Sequence, residues 1–166
     1  MIFVRPNLRR AAAIAALLLT GWAAPARADI TGFIGANMTP DNRMALGGAI
    51  GTGLLIVGFE FEYSATSEST TPPLAPSLKS GMGNLLLQTP IPVLGFQPYV
   101  TGGVGIYRET LGERHDTGFG VNTGGGVKIS LVGPLRLRVD YRVFKLGSGA
   151  LYSPAHRVYA GLNLNF

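Results

Sequence analysis

The sequence predicts an all-β protein, an eight-stranded antiparallel up-and-down transmembrane β-barrel. Three observations carry that expectation. After residue 28 no segment has helical period, and eight segments read as strands with apolar and polar residues on opposite faces. Only 14% of the 166 residues are charged, against roughly 25% in ordinary soluble domains. Glycine, with 24 residues, is abundant but shows no triplet period, which suits tight curved strands and excludes collagen.

The first 28 residues read as a cleavable secretory signal. Arg5, Arg9 and Arg10 form a basic start, Ala11 to Leu19 is apolar throughout, and Ala26-Arg27-Ala28 is a small-x-small cleavage pattern. The apolar run is too short to span a bilayer as a helix and ends at Pro25. The chain divides into residues 1–28, a leader, and 29–166, the barrel. Four of the five net positive charges belong to the leader, so the barrel is almost neutral and a nucleic-acid partner is not expected. There is no cysteine, which removes disulfides and thiolate metal sites.

Ile30 to Met38 reads as the first strand and Thr39-Pro40-Asp41-Asn42 as a tight turn. Arg43 to Ile50 is the second strand, with Met44, Leu46 and Ile50 opposite the small Ala45, Gly47 and Ala49, and Gly51-Thr52-Gly53 is expected to reverse the chain. Leu54 to Ala65 is the third: Leu55, Val57, Phe59, Phe61 and Tyr63 alternate with Ile56, Gly58, Glu60, Glu62 and Ser64. Thr66 to Lys79, rich in Ser, Thr and Pro, reads as a loop. Ser80 to Thr89 is the fourth strand, and Pro90 to Gly95 a short connection.

The fifth strand, Phe96 to Glu109, sets Val100, Val104 and Ile106 against Gln97, Tyr99, Thr101 and Tyr107. Thr110 to Thr117 reads as a charged loop and Gly118 to Ser130 as the sixth strand, with Asn122 and Lys128 opposite Phe119, Val121, Val127 and Ile129. After Leu131-Val132-Gly133 comes the seventh, Pro134 to Leu146, where Leu135, Leu137, Val139, Tyr141 and Val143 alternate with Arg136, Arg138, Asp140 and Arg142. Gly147 to Ala155 is a loop. His156 to Phe166 is the eighth strand, expected to pair with the first so that no edge remains. Variable loops after odd strands and short turns after even ones are the pattern of a barrel with one end outside the cell.

If lipid meets the apolar face, the charges lie inside and must compensate one another, because an isolated buried charge is costly. Glu60, Glu62 and Asp140 are therefore expected to pair across the lumen with Arg136, Arg138, Arg142, Lys128 and Arg157. Tyr63, Tyr99, Tyr107, Tyr141 and Phe96, near strand ends, are candidates for interfacial aromatic girdles, with plain packing as the competing role.

With its leader, alternating strands, Gly-rich inward faces and terminal Phe166, the chain resembles the small outer-membrane β-barrels of Gram-negative bacteria, the OmpA/OmpX-like group. The resemblance implies an outer-membrane location. It also implies an assembly signal read by the barrel assembly machinery on Val158, Ala160, Leu162, Leu164 and Phe166; Leu164 stands where the family's pattern has a tyrosine. On that reading, deleting Phe166 is expected to impair assembly far more than shortening the Thr66 to Lys79 loop, as measured by the amount of heat-modifiable barrel in the membrane fraction. Equal tolerance of the two changes would remove the role.

Catalytic features are sparse. His115 lies beside Arg114 and Asp116, and His156 follows Ser153. The lipid A deacylases, which are barrels of this size, carry a serine two residues after their strand histidine; here that position is Val158. Gly124-Gly125-Gly126-Val127-Lys128 lacks both the Lys-Ser/Thr ending and the helix of a phosphate loop. No cofactor or metal is expected. The reading is a non-enzymatic monomer with a side-chain-filled lumen, contacting outer-membrane lipid and lipopolysaccharide and presenting loops to an extracellular partner for adhesion or envelope integrity. A lipid A-modifying barrel enzyme and a soluble periplasmic barrel holding an apolar ligand are the alternatives.

Overall fold

The computed structural model describes residues 27–71 and 73–166; the expected leader lies outside them, apart from its last two residues. The strands are β1 (Arg27–Asn37), β2 (Arg43–Leu54), β3 (Val57–Thr66), β4 (Ser77–Gln88), β5 (Phe96–Leu111), β6 (Arg114–Ser130), β7 (Leu135–Lys145) and β8 (Ala155–Asn165). They form one closed barrel in sequence order, every neighbouring pair antiparallel. The predicted fold class is the observed one. β1 and β8 close the sheet from Asp29 opposite Asn165 to Asn37 opposite Arg157, so no strand edge is left unpaired. Phe166 extends the seam by exchanging backbone hydrogen bonds with Ala28, each 2.9 Å.

The faces follow the two-residue period. Ile34, Leu46, Phe59, Val104, Phe119 and Leu162 are exposed on the outer wall, whereas Glu62, Arg138, Asp140, Arg142 and Asn163 are fully buried within. This inverts a soluble protein, in which charge lies outside and the large apolar residues inside. Side chains fill the interior above a hollow of about 160 Å³ at the end carrying the termini. Near the rim opposite the termini, Leu78, Met82, Tyr107, Phe144, Leu146 and Ala155 form an apolar cluster. An ionic layer follows, and Lys128 with Asp29 lies towards the end carrying the termini.

Several boundaries differ from expectation for identifiable reasons. The chain does not reverse at Gly51-Thr52-Gly53. These residues continue β2, paired with β1 from Gly51 opposite Asp29 to Gly53 opposite Arg27, and the turn falls on Leu55 and Ile56. Leu55 takes a φ of 51°, a conformation usually given to glycine, so residue type pointed to the wrong place. The expected charged loop at 110–117 is instead strand: β5 and β6 pair up to Leu111 opposite Arg114, and Gly112 makes the turn at a φ of 57°. Ser77, Leu78 and Lys79, expected in a loop, begin β4. Long and short connections therefore do not strictly alternate, because residues 89–95 form a longer link than residues 112–113.

Candidate functional site

The candidate site is the sealed interior. Strand period turns Glu60 and Glu62 of β3 inward, and the same period turns Arg138, Asp140 and Arg142 of β7 to meet them across the lumen. Arg138 is bonded to Glu60 through its Nη1, and its Nη2 lies 3.3 Å from Asp140. Arg142 reaches all three acids: Glu60 at 2.9 Å, Glu62 at 3.1 Å and Asp140 at 3.0 Å. Arg157 of β8 donates to Glu62 at 2.5 Å and to Ser64 Oγ at 2.7 Å. Ser64 in turn bonds Ser80 of β4 at 2.9 Å, which ties four strands together.

Three guanidiniums thus face three carboxylates, and the layer is neutral as a unit. Charge neutrality is what makes a buried ionic cluster tolerable, since desolvation of each ion costs several kcal/mol on its own; Arg142 Nη1 and Arg157 Nε are left without a hydrogen bond. The structure does not bring every expected residue into this cluster. Lys128 pairs at 2.8 Å with Asp29, an acid that the sequence reading left out. Arg136 lies 2.8 Å from Gln97 Oε1 and 3.4 Å from Asn165 Oδ1, below the carboxylates of β3.

Aromatic rings complete the seal. Tyr99 donates its hydroxyl to Asp140 and accepts from Arg138 Nε at 2.7 Å. Arg138 also stands 4.8 Å from the Tyr99 ring centroid, and Arg157 4.7 Å from that of Phe144. Phe33 and Tyr159 stack with centroids 4.0 Å apart. Tyr99 and Tyr107 are therefore interior residues and not girdle members, whereas Tyr63, Phe96 and Tyr141 are on the outer wall. The signal for Tyr99 was present in the sequence, because it shares parity with Gln97 and Thr101 opposite Val100.

The rim opposite the termini is braced. Arg43 donates to Ser67 O at 3.0 Å, to Thr39 O at 2.8 Å and to Pro76 O, joining the first two rim loops. Tyr152 OH reaches Leu74 O at 3.0 Å, and Leu151 N donates to Glu109 at 2.9 Å. The histidines are apart from the acids. His115 Nδ1 is 3.2 Å from Thr110 Oγ1, and His156 Nδ1 is 2.6 Å from the Tyr141 hydroxyl. Ser153 Oγ is engaged by the backbone of Leu146, accepting from its N at 3.0 Å and donating to its O at 3.3 Å. Among the described residues no group of three or more His, Cys, Asp or Glu is placed to hold a metal.

Of the expected assembly-signal residues, Val158, Ala160, Leu162 and Leu164 face outward along β8 and Phe166 is exposed beyond it. No protein-family model and no curated protein matches the chain in sequence. Solved structures match its fold. The N-terminal β-barrel domain of Pseudomonas aeruginosa OprF is similar at a TM-score of 0.65 and 17% identity, covering 84% of this chain and 97% of that one. Neisserial surface protein A is similar at 0.60 and 14%, covering 84% and 94%. Ail, the attachment invasion locus protein of Yersinia pestis, is similar at 0.52 and 11%, covering 86% and 99%. The fold is that of the small eight-stranded outer-membrane barrels.

Proposed function

We propose that the chain is a structural surface protein of a Gram-negative outer membrane, with both termini in the periplasm and the braced rim outside. The observation that carries this reading is the inversion of polarity: neutralised charge fills the lumen while large apolar side chains cover the wall. Such a wall is stable in hydrocarbon and unstable in water, and strands of this length suit a tilted crossing. The interior is packed with side chains, as expected of eight strands, so the protein conducts no solute through its axis. Its work then falls to the wall and the tied rim loops, which serve envelope integrity or the adhesion of an extracellular partner by a monomer. A lipid A-modifying activity gains no support from the geometry of Ser153, whose hydroxyl is held by backbone and not by His156.

Fractionation of the expressed full chain tests the location. The barrel is expected in the outer-membrane pellet, released only by detergent and migrating faster on a gel before boiling than after. Recovery of folded protein in the osmotic-shock fraction would overturn the reading in favour of a soluble barrel.

A further inference from the structure

The outer wall is not uniformly oily. From β2 to β6 it sinks into an open hollow of about 960 Å³, walled by Ile50, Phe59, Phe61, Leu85, Val104 and Val121, with Gly83 and Gly102 on its floor. Barrel packing does not impose those two glycines. A Cβ on Gly83 would have only Val104 O at 3.8 Å, and one on Gly102 only Asn122 O at 3.7 Å, both ordinary contacts. The inward-facing Gly103 and Gly105 are different, since a Cβ there would fall within 2.4 Å of neighbouring backbone oxygen. Glycine in a strand costs stability and packs nothing, so a glycine floor with free space above it marks a place where something else approaches the backbone.

A second observation lies at the top of the same strands. Lys79 of β4 and Arg108 of β5 are direct cross-strand partners, both exposed on the outer wall. Like charges directly opposite on a ladder repel. Their flanking partners, Ala65 on β3 and Thr117 on β6, carry no charge, and neither cation has an ion-pair partner among the described residues. Tyr63, half exposed one pleat below and opposite Gly81, places an amphipathic ring at the same level, as expected at the border of the hydrocarbon. From Lys79 to Gly83 the strand rises roughly 13 Å, less when tilted, so the cations stand at headgroup height above an apolar hollow.

We propose that this wall is a docking site for a phosphorylated outer-leaflet glycolipid, its phosphate held between Lys79 and Arg108 and an acyl chain laid over Gly83 and Gly102. The anion relieves the cation repulsion and the acyl chain fills the hollow, so one amphiphile satisfies both features. The inference rests on the membrane reading given above.

The test is native mass spectrometry of the detergent-purified full chain, with phosphorylated lipid A and its dephosphorylated form as probes. The parent protein is expected to retain the phosphorylated lipid roughly tenfold or more over the dephosphorylated one, at about 1 kcal/mol per basic residue. The K79Q/R108Q double variant should lose that preference. Gly83→Leu, which fills the hollow without a backbone clash, should lower retention of both lipids, and Arg114→Gln at the rim should change neither. Heat-modifiable migration shows that each variant is folded. A folded barrel with no phosphate preference, unaltered retention in the double variant, or a dimer abolished by Gly83→Leu would each overturn the docking site and leave the membrane reading intact. Failure of the membrane reading shows separately, in the fractionation.

Discussion

Replacing Arg142 with methionine is expected to destabilise the barrel by about 3–5 kcal/mol, the largest loss for any single interior charge. Methionine keeps much of the side-chain length but leaves Glu60, Glu62 and Asp140 without the one cation that touches all three. Arg138 still faces Glu60 and Asp140, and Arg157 still faces Glu62, so the layer becomes net negative and cannot be neutralised by rearrangement. Removing one member of a buried ionic set costs far more than the set contributes as a whole, because the remaining ions keep their desolvation penalty. Lys128→Met provides the comparison. Its partner Asp29 is partly exposed towards the end carrying the termini, where water can take over its solvation, and a loss of about 1–2 kcal/mol is expected. Urea unfolding of the two variants in detergent micelles, followed by the fraction of fast-migrating barrel, distinguishes them; equal losses would show that the central cluster is no more demanding than the peripheral pair.

The same cluster shows what the amino-acid order makes legible. Strand parity alone places Glu60, Glu62, Arg138, Asp140, Arg142 and Arg157 on inward faces, because every strand alternates and a one-residue slip would drive charges into the wall. It also indicates that β3 and β7 face one another across the lumen, since β3 carries two inward carboxylates and β7 an excess of inward arginines. Parity does not give height. Whether Arg136 or Arg142 is level with Glu62 depends on the stagger of eight strands, and that accumulates from turns such as Leu55-Ile56 that residue type does not reveal. Asp29 escapes the sequence reading for a related reason: it precedes the expected first strand, Ile30 to Met38, and its partner Lys128 lies 99 residues further along the chain. The charged run Arg114-His115-Asp116 resembles a loop because charge in a soluble domain accompanies irregular, solvated backbone. A long hairpin rising above the hydrocarbon carries such residues on regular strands. The outer hollow escaped notice because its cause is missing side chains at Gly83 and Gly102, and glycine on a strand has several meanings until its surroundings are known.

Gly35→Val is expected to prevent closure of the barrel altogether. Gly35 lies opposite Tyr159 in the seam between the first and last strands. A Cβ there would come within 2.1 Å of Val158 O and 2.6 Å of Tyr159 Cα. The neighbouring groups are backbone, so no rotamer change relieves the contact, and β1 and β8 must separate. The seam joins segments at opposite ends of the sequence and is the ladder that removes the two remaining edges. The aromatic stack reinforces it: a Cβ on Gly161 would come within 2.7 Å of Phe33 Cβ, and the Phe33 ring stacks on Tyr159. Gly35→Val protein should therefore reach the membrane fraction without the fast-migrating form and be degraded by added protease. Gly83→Val, the same substitution on the outward side, should fold as the parent does. A closed, protease-resistant barrel from Gly35→Val would show that the seam tolerates a wider strand separation than its register implies.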